Sequence, residues 1–302
     1  MFGLLNINKP SGLTSRAVVN NIERLTRPFK AGHAGTLDPL ATGVLIVGVG
    51  PATRLLEYVQ QMPKTYRATF LFGQYSETDD IEGEVEILHN PEIPSLNDIG
   101  TCVDQFCGTI LQRPPKYSAL KIGGRRAYDL ARRGKSVELS ARPVTIHSLR
   151  IICYAYPKLK LELTCSGGTY VRSIGRDLAT ALGTSAVMSS LCRTAVGNFT
   201  ERKSTSLQHL HPGSFVDHLL PPQLAVTTIS PHTLSDEQAK DISYGRKIEV
   251  EPRENDSMRA ETMAAFWDGT LIAILRRGGP NQWHPQKVFS TPGCAATPSR
   301  RL

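Results

Sequence analysis

Residues 143–156 and 158–164 are two runs rich in β-branched and apolar side chains, parted by a single proline, Pro157. Proline has no backbone donor and a fixed φ, so this pattern predicts two long strands joined by a tight turn. A hairpin of that length commits the chain to an antiparallel sheet with a face to bury. Helical spacing recurs at 15–27, where Val18, Val19, Ile22 and Leu25 share one side and Ser15 can cap. Further helices are expected at 53–61, 95–107 and 173–182. Strands are expected at 3–8, at Val44-Leu45-Ile46-Val47 and at 65–72, which Gly73 closes. These elements do not alternate as βαβα. The expected class is therefore α+β, a largely antiparallel mixed sheet flanked by helices.

At 302 residues the chain is longer than the usual domain, and two are expected. The texture changes after Leu220-Pro221-Pro222. Beyond 229 the sequence predicts a short helix at 236–243, a turn at Tyr244-Gly245 and short strands including 271–275. The expected units are 1–228 and a small β-rich 229–302, with 291–302 a disordered tail. With 40% hydrophobic and 21% charged residues the chain is not disordered as a whole. Its longest near-apolar run, 43–52, is far short of the ~20 residues of a membrane helix, and the N-terminus lacks the basic head of a secretory signal. Six cysteines form no CxxC pair and eight histidines no HExxH. No structural metal is expected, and the thiols read as the reduced thiols of a cytoplasmic protein.

The net charge of +8 favours a polyanionic partner. Residues 1–228 hold 25 basic and 18 acidic side chains, whereas 229–302 hold 10 and 9. Two blocks of opposite sign stand out. Residues 77–92 contain Glu77, Asp79, Asp80, Glu82, Glu84, Glu86 and Glu92 and no Lys or Arg. Residues 112–135 contain Arg113, Lys116, Lys121, Arg125, Arg126, Arg132, Arg133 and Lys135 against one acid, Asp129. The acidic block reads as a solvated loop, with a carboxylate metal site as the sharper alternative. The basic block reads as the solvated face of a helix over 125–133 or as a phosphate-contacting surface.

Three stretches can carry chemistry. In Gly32-His33-Ala34-Gly35-Thr36-Leu37-Asp38-Pro39-Leu40-Ala41-Thr42-Gly43-Val44-Leu45, Pro39 biases Asp38 toward an extended backbone and so fixes its carboxylate. A carboxylate on a glycine-built loop before a buried strand suits a nucleophile or base. The same residues also serve as ordinary turn punctuation. In Cys165-Ser166-Gly167-Gly168-Thr169-Tyr170-Val171-Arg172 an extended backbone would set Tyr170 and Arg172 on one face. That pair can stack a base and hold a carboxylate ionised, or simply decorate a surface strand. Tyr66, in Lys64-Thr65-Tyr66-Arg67, reads as core or as site.

The loop 32–45, together with Leu5-Asn6-Ile7-Asn8-Lys9-Pro10-Ser11-Gly12, closely resembles the bacterial TruB family, the tRNA pseudouridine-55 synthases. The likeness continues through Lys64-Thr65-Tyr66, Thr78-Asp79-Asp80-Ile81-Glu82-Gly83, Gln112-Arg113-Pro114-Pro115-Lys116-Tyr117-Ser118-Ala119 and Gly168-Thr169-Tyr170-Val171-Arg172. The resemblance implies an enzyme that flips one uridine of the tRNA T arm out of its stack and converts it to pseudouridine without a cofactor. It implies Asp38 as nucleophile, Arg172 as its partner, and Tyr66 stacked on the base near the proton removed late in the reaction. Tyr170 and Leu191 would line the pocket, and His33 would lie where the nucleotide is extruded. A guanidinium beside Asp38 is expected to lower its pKa. Arg113, Lys116, Lys121, Arg125, Arg126, Arg132 and Arg133 would contact the RNA backbone, and the acidic block would sit away from that face.

Residues 229–302 resemble, more weakly, an RNA-binding domain of the PUA kind, through Ser243-Tyr244-Gly245-Arg246-Lys247-Ile248 and His284-Pro285-Gln286-Lys287-Val288-Phe289. Two departures stand out: Cys192 replaces a family arginine, and Ser76-Glu77 replaces the commoner Thr-Asp. The implied partner is tRNA, with no guide RNA and no membrane, and a monomer is expected. The rival readings are a tRNA-folding chaperone, alongside catalysis or instead of it, and a guide-RNA-dependent relative.

Overall fold

A computed structural model describes residues 1–117, 139–251 and 260–289, and the backbone of 121–122 and 125–126. Arg132 and Arg133, Lys135 and the tail 291–302 lie outside the described residues.

The long hairpin forms as expected, Arg142–Ala155 against Lys158–Cys165. It belongs to a ten-stranded sheet whose main path runs Thr205–Ser206, Gly3–Lys9, Thr42–Val49, Ala186–Val196, Lys64–Phe72, Lys158–Cys165, Arg142–Ala155, Gly108–Gln112. Most neighbours are antiparallel. Thr42–Val49 and Ala186–Val196 pair parallel at the middle of the sheet, with Arg193 beside Gly43. Helices Ser15–Thr26, Leu96–Gln105 and Val171–Ala181 cover one hydrophobic core, in which Val18, Ile22, Ile99, Val103, Ile174 and Leu178 are buried. Ser95 caps the second of these through a capping box with Asp98.

Three local expectations change. Thr14, not Ser15, caps the first helix, accepting from Ala17 N. The 53–61 segment divides into a 3₁₀ turn, Gly50–Leu55, with Pro51 in its first turn where no donor is needed, and a short α-helix, Leu56–Gln61. Arg125–Arg126 is not helical but a short strand paired with Lys121–Ile122.

A second, five-stranded sheet runs Ser230–Thr233, Thr262–Trp267, Thr270–Arg277, Gln282–Val288, Ile248–Glu249, with helix Asp236–Ser243 capped by Ser235. One core cluster joins Leu4, Ile46, Leu55 and Val226 to Ala264, Leu271 and Ile274 of this sheet. Polar contacts pin the same joint: Arg54 Nη1 donates to Val288 O at 2.9 Å, and Lys287 Nζ pairs with Glu57. Among the described residues no helix is long and apolar enough to cross a membrane.

Candidate active site

The loop 34–41 enters the parallel seam of the large sheet, and its backbone is held from outside. Ala34 N donates to Ile46 O at 2.9 Å. Ser15, the expected cap, instead reaches into the loop: its Oγ accepts from Leu37 N at 2.8 Å and donates to Leu37 O at 3.1 Å. Pro39 O accepts from Gly12 N at 2.8 Å and from Lys9 Nζ at 3.1 Å. The fully buried Arg193 spans both ends, donating through Nε to Val44 O at 2.7 Å and through Nη2 to Gly35 O at 3.2 Å. Groups fixed in this way are preorganised for chemistry.

Gly43 marks how tight the seam is. Its φ is +95°, and a Cβ there would lie 2.3 Å from the carbonyl oxygen of Arg193. Gly43→Ala should therefore cost more than the ~1–2 kcal/mol of a left-handed backbone alone. The expected result is a clear fall in the thermal midpoint, with the spectrum of the folded sheet retained below it.

Asp38 leaves this loop toward Arg172. The guanidinium holds it with two contacts, Nε to Oδ2 at 3.1 Å and Nη2 to Oδ1 at 3.3 Å. Arg172 spends its remaining donors on Asp80 Oδ2 at 3.0 Å, Thr78 O at 2.8 Å and Tyr117 O at 3.0 Å. Asp80 is itself 3% exposed, and its Oδ1 accepts from Thr78 Oγ1 at 2.7 Å and Glu82 N at 3.1 Å. The arrangement is one buried arginine shared by two carboxylates.

The electrostatic expectation for Asp38 is reversed. Arg172 does pull its pKa down, but burial pushes harder and Asp80 adds to it, so the carboxyl titrates above its ordinary value. A third of the side chain stays open to the cavity, enough for a reactant to reach it. Lys9, fully buried among the carbonyls of Pro10, Leu13 and Pro39, is pushed down to about 8 by burial.

Arg172 also arrives differently from the extended strand read in the sequence. Gly168, at φ +84°, turns the chain, and helix Val171–Ala181 begins with Tyr170 as its N-cap. Val171, Ile174 and Leu178 provide the buried helical stripe, so Arg172 lies in the first turn. Gln112, buried at the end of its strand, clamps Tyr170 by donating to its carbonyl at 3.0 Å and accepting from its N–H at 2.8 Å.

Two cavities meet at Asp38 and Arg172. One, of about 450 Å³, is lined by His33, Tyr66, Tyr170, Leu191 and Arg193 as well as that pair. Every pocket residue read from the sequence touches it. Tyr66 is 8% exposed, and burial raises its pKa. The guanidinium of Arg142 sits 5.1 Å over the Tyr170 ring. The other cavity, about 1120 Å³, is walled by Asp80, Glu82, Glu84 and Glu86. The acidic block is thus not a solvated loop set apart from the site. Ile81 N and Met188 O, and Met188 N and Asp79 O, stitch it to the central sheet, and Arg176 binds Asp79 at 2.9 Å. Two of its anions, Asp80 and Asp79, are drawn in as counterions for Arg172 and Arg176, while Glu77, Glu82, Glu84, Glu86 and Glu92 stay exposed.

Of the cations in the basic block, the described side chains are those of Arg113 and Lys116. Arg113 is exposed, and its carbonyl accepts from Ser173 and Arg176. Lys116 stands 4.0 Å from Glu77. Lys121, Arg125 and Arg126 contribute a described backbone only. Ser15, Lys9, Asp80 and Arg193 were not singled out as site residues. One signal was available for Arg193: it lies two residues from Leu191 on a strand and hence on the same face.

Residues 23–171 match the TruB family pseudouridylate synthase (N terminal domain). A tRNA pseudouridine synthase B of Synechococcus sp. (strain CC9311) is 40% identical over 299 residues, covering 96% of this chain and 98% of the relative. That of Dehalococcoides mccartyi (strain ATCC BAA-2266 / KCTC 15142 / 195) is 38% identical over 297 residues, covering 97% and 98%. A chain of a Cbf5–Nop10–Gar1 complex shares the fold at 24% identity, with a TM-score of 0.76 over 96% of this chain and 85% of that one. Near-full-length identity at this level, on a chain whose glycine-built loop carries Asp38 to a buried arginine, places it in the TruB family of pseudouridylate synthases.

Proposed function

We propose that this protein converts a single uridine of the tRNA T arm to pseudouridine, with Asp38 as nucleophile and Tyr66 as the platform for the flipped base. One observation carries the reading: Asp38, gripped at 3.1 Å by Arg172, opens into the cavity of about 450 Å³ that also holds Tyr66 and Tyr170. That volume suits one nucleoside, and an enzyme acting on a base must first take it out of the stack. The isomerisation breaks the N1–C1′ bond, forms C5–C1′, moves one proton from C5 and places one on N1. No electron is transferred. Asp38 supplies the attacking carboxylate, Arg172 orients it, and Tyr66 lies beside the uracil ring near the C5 proton.

The unit 1–228 holds this machinery, while 229–302 and the exposed cations Arg113 and Lys116 supply contacts to the rest of the RNA. The protein works as a monomer in the cytoplasm. A purely RNA-folding chaperone has no use for a carboxylate kept partly desolvated beside a second one. The test is an unmodified tRNA transcript incubated with purified protein and no guide RNA, with pseudouridine mapped by carbodiimide labelling. Modification at one T-arm uridine is expected. None at all would defeat the reading, and modification only with added guide would favour the guide-dependent alternative.

A further inference from the structure

Of the buried cations lining the pocket, Lys64 and Arg193 have no part in the steps proposed for Asp38, Arg172 and Tyr66. Arg193 is 1% exposed, sits on the strand between the 42–49 and 64–72 strands, and is the direct cross-strand partner of Tyr66. Its Nε and Nη2 are spent on the carbonyls of Val44 and Gly35, the two ends of the loop that carries Asp38. Arg193 and Tyr66 both line the cavity of about 450 Å³, where the positive charge of Arg193 pulls the phenol's pKa down while burial pushes it up. A fully buried arginine is costly unless its charge or its donors do something there.

We propose that Arg193 is a positioning residue for both halves of the reaction: it ties the nucleophile loop shut and sets a fixed positive charge against Tyr66, so that the phenolic oxygen can accept the proton from uracil C5. In that step the C5–H bond breaks and the proton passes to the ionised Tyr66 oxygen, whose own proton has already gone to solvent; the electron pair forms the C5=C6 double bond, the C6=N1 π pair moves onto N1, and N1 takes a proton from solvent. This rests on the reading of the site as a pseudouridine synthase centre.

The other charges around Tyr66 do not replace Arg193. Asp38 opposes ionisation of the phenol, and Cys165, whose thiol burial pushes up to about 11, is neutral over the working range. Lys64, two residues back on the same strand, points its Nζ at the carbonyls of Val59, Gln60 and Met62. Arg193 is the group that draws the phenol down against its burial.

The experiment measures single-turnover tritium release from a tRNA transcript carrying carbon-5-tritiated uridine, from about pH 6 to about pH 10. Arg193→Met should displace the rising limb of the profile upward by about one unit or more, a roughly tenfold loss below the limb. Arg193→Lys should keep the wild-type limb at a lower plateau, because one ammonium cannot bridge Gly35 O and Val44 O. Equal loss at every pH in the methionine variant, with no displacement, would mean a structural role only and would overturn the proposal. If the methionine variant does not fold, Arg193→Lys decides, since a displaced limb there is equally fatal. No release by the wild-type protein would overturn the functional reading and this inference with it, whereas normal wild-type release with an undisplaced limb in the methionine variant sinks Arg193 alone.

Discussion

Asp38→Asn should abolish pseudouridine formation while leaving the protein folded and able to bind tRNA. Losing a covalent nucleophile costs on the order of 10⁴-fold or more, because the remaining binding contacts do not substitute for the bond it makes. The variant separates the enzyme from a binding protein: tRNA retention with no product supports the nucleophile, and turnover within tenfold of wild type excludes it. Its effect on the fold follows from the direction of the Asp38 shift. A carboxyl whose folded pKa lies above its unfolded value favours the fold below the unfolded pKa. That contribution is lost as pH rises through the folded pKa. At neutral pH the ionised Asp38 therefore works against the fold, and the asparagine variant should melt no lower than wild type. The same shift puts the acid limb of the wild-type rate profile above the ordinary range of an aspartate, since only the ionised form attacks.

That trade between activity and stability bears on what the sequence could reveal. Asp38 was legible because its neighbours are: proline after it, glycines around it and an apolar strand behind it all act locally on the backbone. The long hairpin, the capped helix at 236–243 and the six pocket residues were legible for the same reason or through family likeness. Asp80 was not. It stands among six other acids, and only the fold shows that it is 3% exposed while Glu82 and Glu84 line open space. The pairing that buries it joins Arg172 to a loop far back in the chain, just as Asp38 and Arg172 meet across 134 residues.

Burial also decided the signs that composition got wrong. A guanidinium at 3.1 Å should lower a carboxylate pKa in water, but here two carboxylates share that one cation in a desolvated pocket. Lys9 ends the first strand, and its ammonium is buried among three carbonyls under the nucleophile loop. Arg172 looked like a strand residue because two glycines and a threonine precede it. The helical stripe Val171, Ile174 and Leu178 begins only one residue before, which left too little pattern upstream to move the boundary.

Arg172→Lys should be severely damaging despite conserving the charge, though less so than loss of Asp38. Arginine meets five acceptors here: both oxygens of Asp38, one of Asp80, and the carbonyls of Thr78 and Tyr117. Those lie around a planar fork that a single ammonium on a flexible stem cannot reproduce. Lysine can stay with the buried Asp80 or reach Asp38, and either choice abandons the other. Leaving a buried carboxylate unpaired costs roughly 3–5 kcal/mol, so the ammonium should settle on Asp80 and release Asp38. A nucleophile free to swing loses its near-attack geometry, and misplacement of about 1 Å is worth on the order of 10²-fold. Two measurements check this. The single-turnover rate should fall by about 10²-fold or more with tRNA affinity little changed, and the acid limb should move to higher pH, because Asp38 has lost the partner that held it down. A variant with normal turnover and an unmoved limb would show that Arg172 is needed only to fill space.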